Sequence, residues 1–390
     1  MTECWVNTMD EMVRLYYTTA GVRYLQDIGD WSAYFTKGDT PITTATAGVY
    51  NPIYGAYAWA QLNLEANAFG VLPKVPWGNS GWRVIKERAS TSVTGGVAEG
   101  GDLPGAINPT FAMITAKPKT IAHVFTNSEI QEFLATANHD DAIATMEMLR
   151  TYFAKEHAEH INRMLLTDVG TLAGYNMESI DRVVSSYSES GISGVGSKAD
   201  IYGIDRHGST THEAWADAQV LHNNGTPRDL TDDLIRQLLR SCMHYGANPT
   251  MWLTGYDTYA KIQGLFTPEV RYSVIGDSKV KVGVNGVETF EGNEVGIHVS
   301  TLYGIPMIIS KDTKQDTISR LYLLDTSNPE GYPMPRLCIR VAKPTQYFEA
   351  GTNTQTELLL GSFINKGMYR TIAELICTRF NVQGKLRDLQ

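Results

Sequence analysis

Residues Ser92–Ala106 read Ser-Val-Thr-Gly-Gly-Val-Ala-Glu-Gly-Gly-Asp-Leu-Pro-Gly-Ala, and five of these fifteen are glycine. Glycine loses the most backbone freedom on ordering, so the run predicts a mobile tip rather than a packed turn. Strand-like stretches flank it, Gly81–Ser90 before and Thr110–His123 after, the second interrupted by Pro118. Strand, glycine tip and strand make a long two-stranded ribbon. Two strands alone are marginal in water and need a further surface to lie on. The ribbon is the first sign of a protein that assembles.

The first 77 residues point the same way. They hold 13 of the 38 aromatic residues, among them Trp5, Tyr16, Tyr17, Trp31 and Tyr34. Helical or strand period is weak there. A short helix is expected around Asn7–Leu25, with the rest extended. Rings in a segment without its own core must be covered elsewhere, either by the body of this chain or by a neighbouring subunit, where aromatics are favoured. The residues leave both open.

Beyond the ribbon the period becomes helical. Thr126-Asn-Ser-Glu129 reads as a capping box opening a short helix to about Ala137. Asn138-His-Asp-Asp141 breaks it and caps a longer one, whose apolar stripe runs Ile143, Met146, Leu149, Phe153, His157, Ile161, Met164 and Leu165 up to Gly170. Roughly 28 residues at about 1.5 Å each span on the order of 40 Å. Residues 171–229 are rich in Ser, Gly, Asn and Asp, and read as an irregular surface loop or insertion. A helix is expected from Thr231, with Asp232 and Asp233 suiting its dipole, a stripe through Leu234, Ile235, Leu238, Leu239, Cys242 and Met243, and a stop at Gly246. A strand at Met251–Thr254 and a helix at Tyr256–Phe266 follow. The remainder is strand-like: Val280–Val284, Glu294–Ser300, Pro306–Ser310, Arg320–Leu324, Leu337–Val341 and Tyr369–Val382. The fold class is α+β, with strands from both ends of the chain bracketing the long helix.

Charge and motifs narrow the function. The formal net charge is −9, which excludes a broadly basic nucleic-acid binder while allowing a local basic patch. No apolar run approaches the roughly 18 residues of a membrane-spanning helix. Glu3, Asp10 and Glu11 do not fit a secretory signal. Cys4, Cys242, Cys338 and Cys377 are scattered without a C-x-x-C pair, which favours free thiols in a reducing compartment.

Candidate chemistry is weak at each point. His157-Ala-Glu-His160 has i,i+3 spacing, where zincin helices need i,i+4, and no third ligand stands at helical spacing. Gly191-Ile-Ser-Gly-Val-Gly196-Ser-Lys198 has the lysine after the serine and no strand before it, unlike a P-loop. Asp205-Arg-His207 and His212-Glu213 are commonplace neighbours, and His139-Asp140-Asp141 is better read as a helix start. Asn224-Gly-Thr226 is a glycosylation sequon, irrelevant without secretion. There is no G-x-S-x-G elbow. Arg150, Lys155 and Arg163 on the long helix could present a weakly basic face to nucleic acid, although a solvated helix face is the simpler reading. No catalytic constellation, metal or cofactor is expected, which favours a structural protein.

The order of elements resembles the major capsid proteins of tailed double-stranded DNA viruses, with the Hong-Kong-97-type capsid fold. The pieces that carry the resemblance are Ala98-Glu-Gly-Gly-Asp-Leu-Pro104 at the ribbon tip, Lys117-Pro-Lys-Thr-Ile-Ala-His-Val-Phe-Thr-Asn-Ser-Glu129 leading into the helices, and Leu302-Tyr-Gly-Ile-Pro-Met-Ile-Ile-Ser310. Asn67-Ala-Phe-Gly-Val-Leu-Pro-Lys-Val-Pro-Trp77 is similar to capsid sequences of tailed viruses of archaea.

The resemblance implies an N-terminal arm and lead-in over 1–80, an E-loop over 81–116 and a peripheral domain over 117–229, with a spine helix and a polar insertion. It further implies an axial domain over 230–340 and a return to the peripheral domain over 341–390. It implies subunit contacts by the tip residues Thr94, Gly95, Gly96, Glu99, Gly100, Gly101, Asp102, Leu103 and Pro104, and by Trp5, Tyr16, Tyr17, Trp31 and Tyr34 of the arm. Such a chain self-assembles into pentamers and hexamers of an icosahedral shell in the virion, forming in the host cytoplasm. Its partners would be further copies of itself, a portal protein, scaffold, decoration or turret proteins, and packaged double-stranded DNA held weakly and without sequence preference; no membrane partner is expected. No long charged helical segment precedes the arm, so a separate scaffold, or none, is expected. Lys86 lies on the proposed E-loop, but no partner Asn or Glu is assignable, so no crosslink is expected. Two other readings are an encapsulin-type nanocompartment shell and a metal-dependent hydrolase using His157 and His160.

Overall fold

The computed structural model describes residues 66–87, 99–101, 108–137, 146–167, 175–192, 200–206, 213–266, 301–328, 334–350 and 364–390. The expected helix at Asn7–Leu25, the arm residues Trp5, Tyr16, Tyr17, Trp31 and Tyr34, the tip residues Thr94, Gly95, Gly96, Asp102, Leu103 and Pro104, and the strand-like runs Val280–Val284 and Glu294–Ser300 lie outside those residues.

The chain forms two compact units. Among the described residues, one takes in those of Val124–Phe153 and Tyr347–Met368, and the other those of Gln61–His123, Ala154–Gln346 and Tyr369–Gln390. The described helices are α1 (Asn67–Val71), α2 (Glu129–Ala137), α3 (Met146–Leu166), α4 (Ile180–Val183), α5 (Asp232–His244) and α6 (Tyr256–Phe266). The strands are β1 (Lys74–Pro76), β2 (Gly81–Glu87), β3 (Thr110–Thr115), β4 (Lys119–Ser128), β5 (Gln219–Leu221) and β6 (Met251–Thr254). They continue as β7 (Thr301–Leu302), β8 (Ile305–Ile309), β9 (Leu321–Leu324), β10 (Leu337–Ala350), β11 (Ile364–Cys377) and β12 (Gly384–Leu386).

The six-stranded sheet runs β5-β12-β9-β6-β8-β7 and lies within the larger unit. β6 pairs parallel with β8 and antiparallel with β9. Every residue of β6 and β9 is buried, because the sheet is covered on both faces. Alternation then sorts the side chains. Met251, Leu253, Tyr322 and Leu324 enter one core with Ile161, Leu165, Ile180 and Val183, while Trp252, Leu321 and Leu323 enter another with Ile235, Leu238 and Cys242 of α5. α5 starts at Thr231, whose Oγ1 accepts a hydrogen bond from the Leu234 N–H at 3.4 Å. Past its end Gly246 has φ +76°, a conformation that suits a residue without Cβ. β12 crosses close under α5: a Cβ on Gly384 would stand 2.7 Å from Cys242 Sγ.

Several expectations are corrected. The capping box at Thr126 does not form, because β4 continues to Ser128 and keeps Thr126 extended and buried. Ser128 Oγ accepts from the Gln131 N–H instead, at 3.2 Å. The strand expected at Tyr369–Val382 is β11, which runs Ile364–Cys377, and a turn closed by Gln383 N–H to Phe380 O leads into β12. β10 runs nine residues past Val341; most of that extension is exposed, so hydrophobicity does not reveal it. The largest correction concerns 171–229. Although Tyr175 and residues 223–227 are exposed, much of its described part is interior: Ile180, Val183, Val184 and Ile201 are wholly buried, as are Glu189 and Arg206.

Candidate assembly surface and the interior that supports it

β2 and β3 pair antiparallel with Trp82 opposite Ile114, Arg83 opposite Met113 and Ile85 opposite Phe111; the register shifts between Ile85 and Glu87. The period of two gives the ribbon an inner and an outer face. Inward, Ile114 is buried in the main core and Trp82 meets the Tyr202 ring edge-on at 5.4 Å. Lys86 pins the ribbon to Glu213 at 3.3 Å, and Glu213 also accepts from Trp215 Nε1 at 2.6 Å. Outward, Ile85, Phe111 and Met113 are 56%, 61% and 69% exposed. These three apolar side chains lie together on one side of two strands. Of the expected tip residues, Glu99, Gly100 and Gly101 are described; they form an exposed turn with Gly100 at φ +78°. Along the inner edge of β2 a groove of about 970 Å³ opens, lined among others by Trp82, Trp215, Phe380, Arg336 and Arg340. In the smaller unit, α2 exposes Ile130 and Phe133, each 69% accessible.

Behind this surface the larger unit holds a buried ionic network. Asp181 Oδ1 receives Arg320 Nη1 at 2.6 Å, Tyr322 Oη at 2.8 Å and Lys385 Nζ at 3.3 Å. Lys385 Nζ also meets Glu189 Oε2 at 2.9 Å, and Glu189 takes Arg387 Nη1 at 2.8 Å and the Ser185 hydroxyl at 2.6 Å. Arg320 is clasped by Asp316, and Arg387 Nε donates to Asp388 at 2.9 Å. Burial by itself would raise the carboxyl pKa of Asp181, but the charges of Lys385 and Arg320, with hydrogen bonds from Arg320 and Tyr322, hold it well below the usual range. For Glu189 the same burial is outweighed chiefly by Lys385. The network ties the α4 region to β9 and to the C-terminal strand. Sequence reasoning missed all of it: Gly384-Lys-Leu-Arg-Asp-Leu-Gln390 carries the ordinary signature of a solvated tail.

The histidine pair has company. His157 is buried on α3, with Nδ1 2.9 Å from Nδ1 of His123 on β4 and Nε2 2.7 Å from Thr371 Oγ1. The His160 ring stands edge-on to His123 at 4.7 Å. Burial, then the neighbouring His123 and His160, lower the His157 pKa to about 4. Neutral His157 thus works as a hydrogen-bonded strut between helix and strands. Among the described residues, His, Cys, Asp and Glu form no group of three set to hold a metal ion. Arg206, which stands between Asp205 and His207 in the sequence, is a core residue: it donates to the Arg182 and Val183 carbonyls and lies 4.6 Å from the Phe380 ring centre. Of the three basic residues of α3, Arg150 sits over the Tyr347 ring, Lys155 is exposed, and Arg163 is bound to Glu159 at 2.7 and 2.9 Å.

Comparison with known proteins gives this architecture a context. A family model described as SU10 major capsid protein matches residues 109–325, more than half of the chain. Among curated proteins, none matches the sequence. Among solved structures, the capsid asymmetric unit of cyanophage A-1(L) superposes with a TM-score of 0.58 at 15% identity, over 85% of this chain and 95% of that one. The capsid of the native GTA particle, computed with C5 symmetry, gives 0.53 at 13% identity, over 91% and 98%. At such identities the likeness is one of fold, and the fold is the Hong-Kong-97-type capsid fold.

Proposed function

The chain belongs to the SU10 major capsid protein family, a component of the virion capsid, and on that premise we propose that it closes an icosahedral shell of pentamers and hexamers around double-stranded DNA. The observation that carries this reading is the outer face of the ribbon. Ile85, Phe111 and Met113 lie side by side in water in the isolated chain, and a contiguous apolar patch of this kind marks an interaction site. In a shell the neighbouring subunit covers it. The tip residues Glu99, Gly100 and Gly101, with Thr94, Gly95, Gly96, Asp102, Leu103 and Pro104, make contacts beyond the ribbon, and Trp5, Tyr16, Tyr17, Trp31 and Tyr34 of the arm bury their rings between subunits.

The role is structural rather than enzymatic. A portal protein occupies one vertex, scaffold, decoration or turret proteins join the shell, and assembly proceeds in the host cytoplasm. DNA is held weakly and without sequence preference. The net charge of −9 fits a container that encloses its genome without gripping it, and Lys155, with Arg150 and Arg163, supplies what little positive charge faces it. Negative-stain microscopy beside size-exclusion chromatography with light scattering tests the reading. Closed shells, or rings of five and six, are expected. A monomer that persists at high concentration and across salt overturns it.

A further inference from the structure

One exposed turn holds a side chain and a backbone nitrogen that can react with each other. After β5 the chain reads His222-Asn-Asn-Gly-Thr226, and the Thr226 N–H donates to the Asn223 carbonyl at 2.9 Å. Asn224 and Gly225 stand at φ +53° and +79°, the two positive values of a type I′ turn. Asn224 is exposed, and among the described residues nothing bonds its carboxamide. The Gly225 nitrogen and the Asn224 Cγ would close a five-membered ring, and glycine has no Cβ to hinder that approach. The Gly225 N–H is not free, however. It donates to Asp388 Oδ2 at 2.9 Å, and the Asn223 N–H donates to the same oxygen at 2.8 Å. Asp388 is 2% exposed; its other oxygen takes Arg387 Nε at 2.9 Å, and its own N–H donates to Asp316 at 2.9 Å. Burial raises the Asp388 pKa, but the two turn N–H groups and Arg387 outweigh it and keep the carboxylate ionised at neutral pH.

We propose that Asn224 is a modification site, converted by water to aspartate and isoaspartate with release of ammonia, and that the buried Asp388 carboxylate holds this conversion off while the fold is intact. The Gly225 nitrogen loses its proton and attacks Asn224 Cγ. The N–Cγ bond forms, the Cγ–Nδ2 bond breaks, and Nδ2 leaves as ammonia with the proton. Water then adds to either carbonyl of the resulting succinimide and opens it. One water is consumed, one ammonia is released, and nothing is oxidised or reduced. Asp388 opposes the first step electrostatically. Proton loss from Gly225 would set a negative nitrogen beside a negative oxygen, and a like charge disfavours the ionised form. The clasp also holds the peptide plane in the turn. Because Asp388 is fixed by Arg387 and Asp316, the guard depends on the residues that follow β12 staying in place. Modified Asn224 therefore marks chains in which that attachment has opened.

The test follows the full chain at pH 8 and 37 °C, folded and in guanidinium chloride, with peptide mapping by mass spectrometry and enzymatic methylation to count isoaspartate. In the wild type, Asn224 is expected to react at least tenfold more slowly folded than unfolded, since reaction waits on local opening. Asp388→Gly removes the carboxylate and suits the backbone, because Asp388 stands at φ +58°. Asp388→Asn removes only the charge and carries the comparison if the glycine variant fails to fold; circular dichroism checks both. Each folded variant is expected to modify Asn224 at least threefold faster than the folded wild type. Asn285-Gly286, the other Asn-Gly pair of the sequence, is read in the same digest and is expected to keep its wild-type rate. Equal rates for the folded and unfolded wild type overturn the inference, as does an unchanged rate at Asn224 in the folded variants. Equal acceleration at Asn285 also overturns it, because the effect would then be general loosening rather than the clasp on Gly225.

Discussion

Replacing Lys385 by methionine removes one cation from the centre of the buried network while keeping nearly the same length of side chain. Lys385 is 1% exposed, and its Nζ stands 2.9 Å from Glu189 and 3.3 Å from Asp181. At an effective dielectric constant of about 20, each of these contacts is worth about 5 kcal/mol of attraction, set against several kcal/mol for desolvating the ammonium. Both carboxylates keep another cation, Arg320 on Asp181 and Arg387 on Glu189. The expected loss is therefore about 3 kcal/mol, the lower end for breaking a buried pair. With a urea slope of about 3 kcal/mol per molar, the unfolding midpoint falls by about 1 M. Tryptophan fluorescence in urea reads this, since Trp252 is wholly buried in the same unit. Adding Glu189→Gln removes a carboxylate that the first change left under-compensated, so the double variant loses about 1–2 kcal/mol less than the sum of the singles. A loss below about 0.5 kcal/mol for Lys385→Met, or strict additivity, would refute the claim that these ions stabilise one another out of water.

Three further outcomes follow from local geometry. His157 has its pKa lowered from 6.5 to about 4, so between those values the unfolded chain binds the proton and the folded chain does not. Stability must then fall as pH drops from 6.5 towards 4, by up to about 3 kcal/mol, and His157→Gln should flatten that slope in denaturant midpoints measured from pH 7 to 4.5. Gly384→Ala places a methyl group 2.7 Å from Cys242 Sγ and 3.0 Å from Leu238 Cδ1, and calorimetry should show a loss of about 1–3 kcal/mol. Burial pushes the thiols of Cys242, Cys338 and Cys377 up to about 12, 11 and 12, so a disulfide-exchange reagent at pH 8 should count at most one thiol in the native protein and four in urea.

Much of the framework is visible before any coordinates. α5 follows from apolar spacing, a threonine cap and a terminal glycine, all interactions within a few residues. The ribbon follows from two strand-like runs around a glycine tip, and its need for a neighbour follows from the marginal stability of two strands. The buried stripe of α3 was legible for the same reason: Met146, Leu149, His157, Ile161, Met164 and Leu165 repeat at helical spacing, and all are buried.

What stayed hidden depends on partners far away in the chain. Residues 171–229 look like a solvated loop because they are polar, and polarity signals exposure only when no partner is at hand. Asp181 finds Arg320 139 residues later and Lys385 204 residues later, and that pairing turns a surface composition into an interior. His157 likewise becomes a strut only because Thr371, 214 residues on, and His123 are folded against it. Local spacing determined the helices, the ribbon and the expectation of assembly. The tertiary structure alone decided which charges are buried, since a charge leaves water only where the fold delivers a counter-charge or, as for Arg206, hydrogen-bond acceptors such as the Arg182 and Val183 carbonyls.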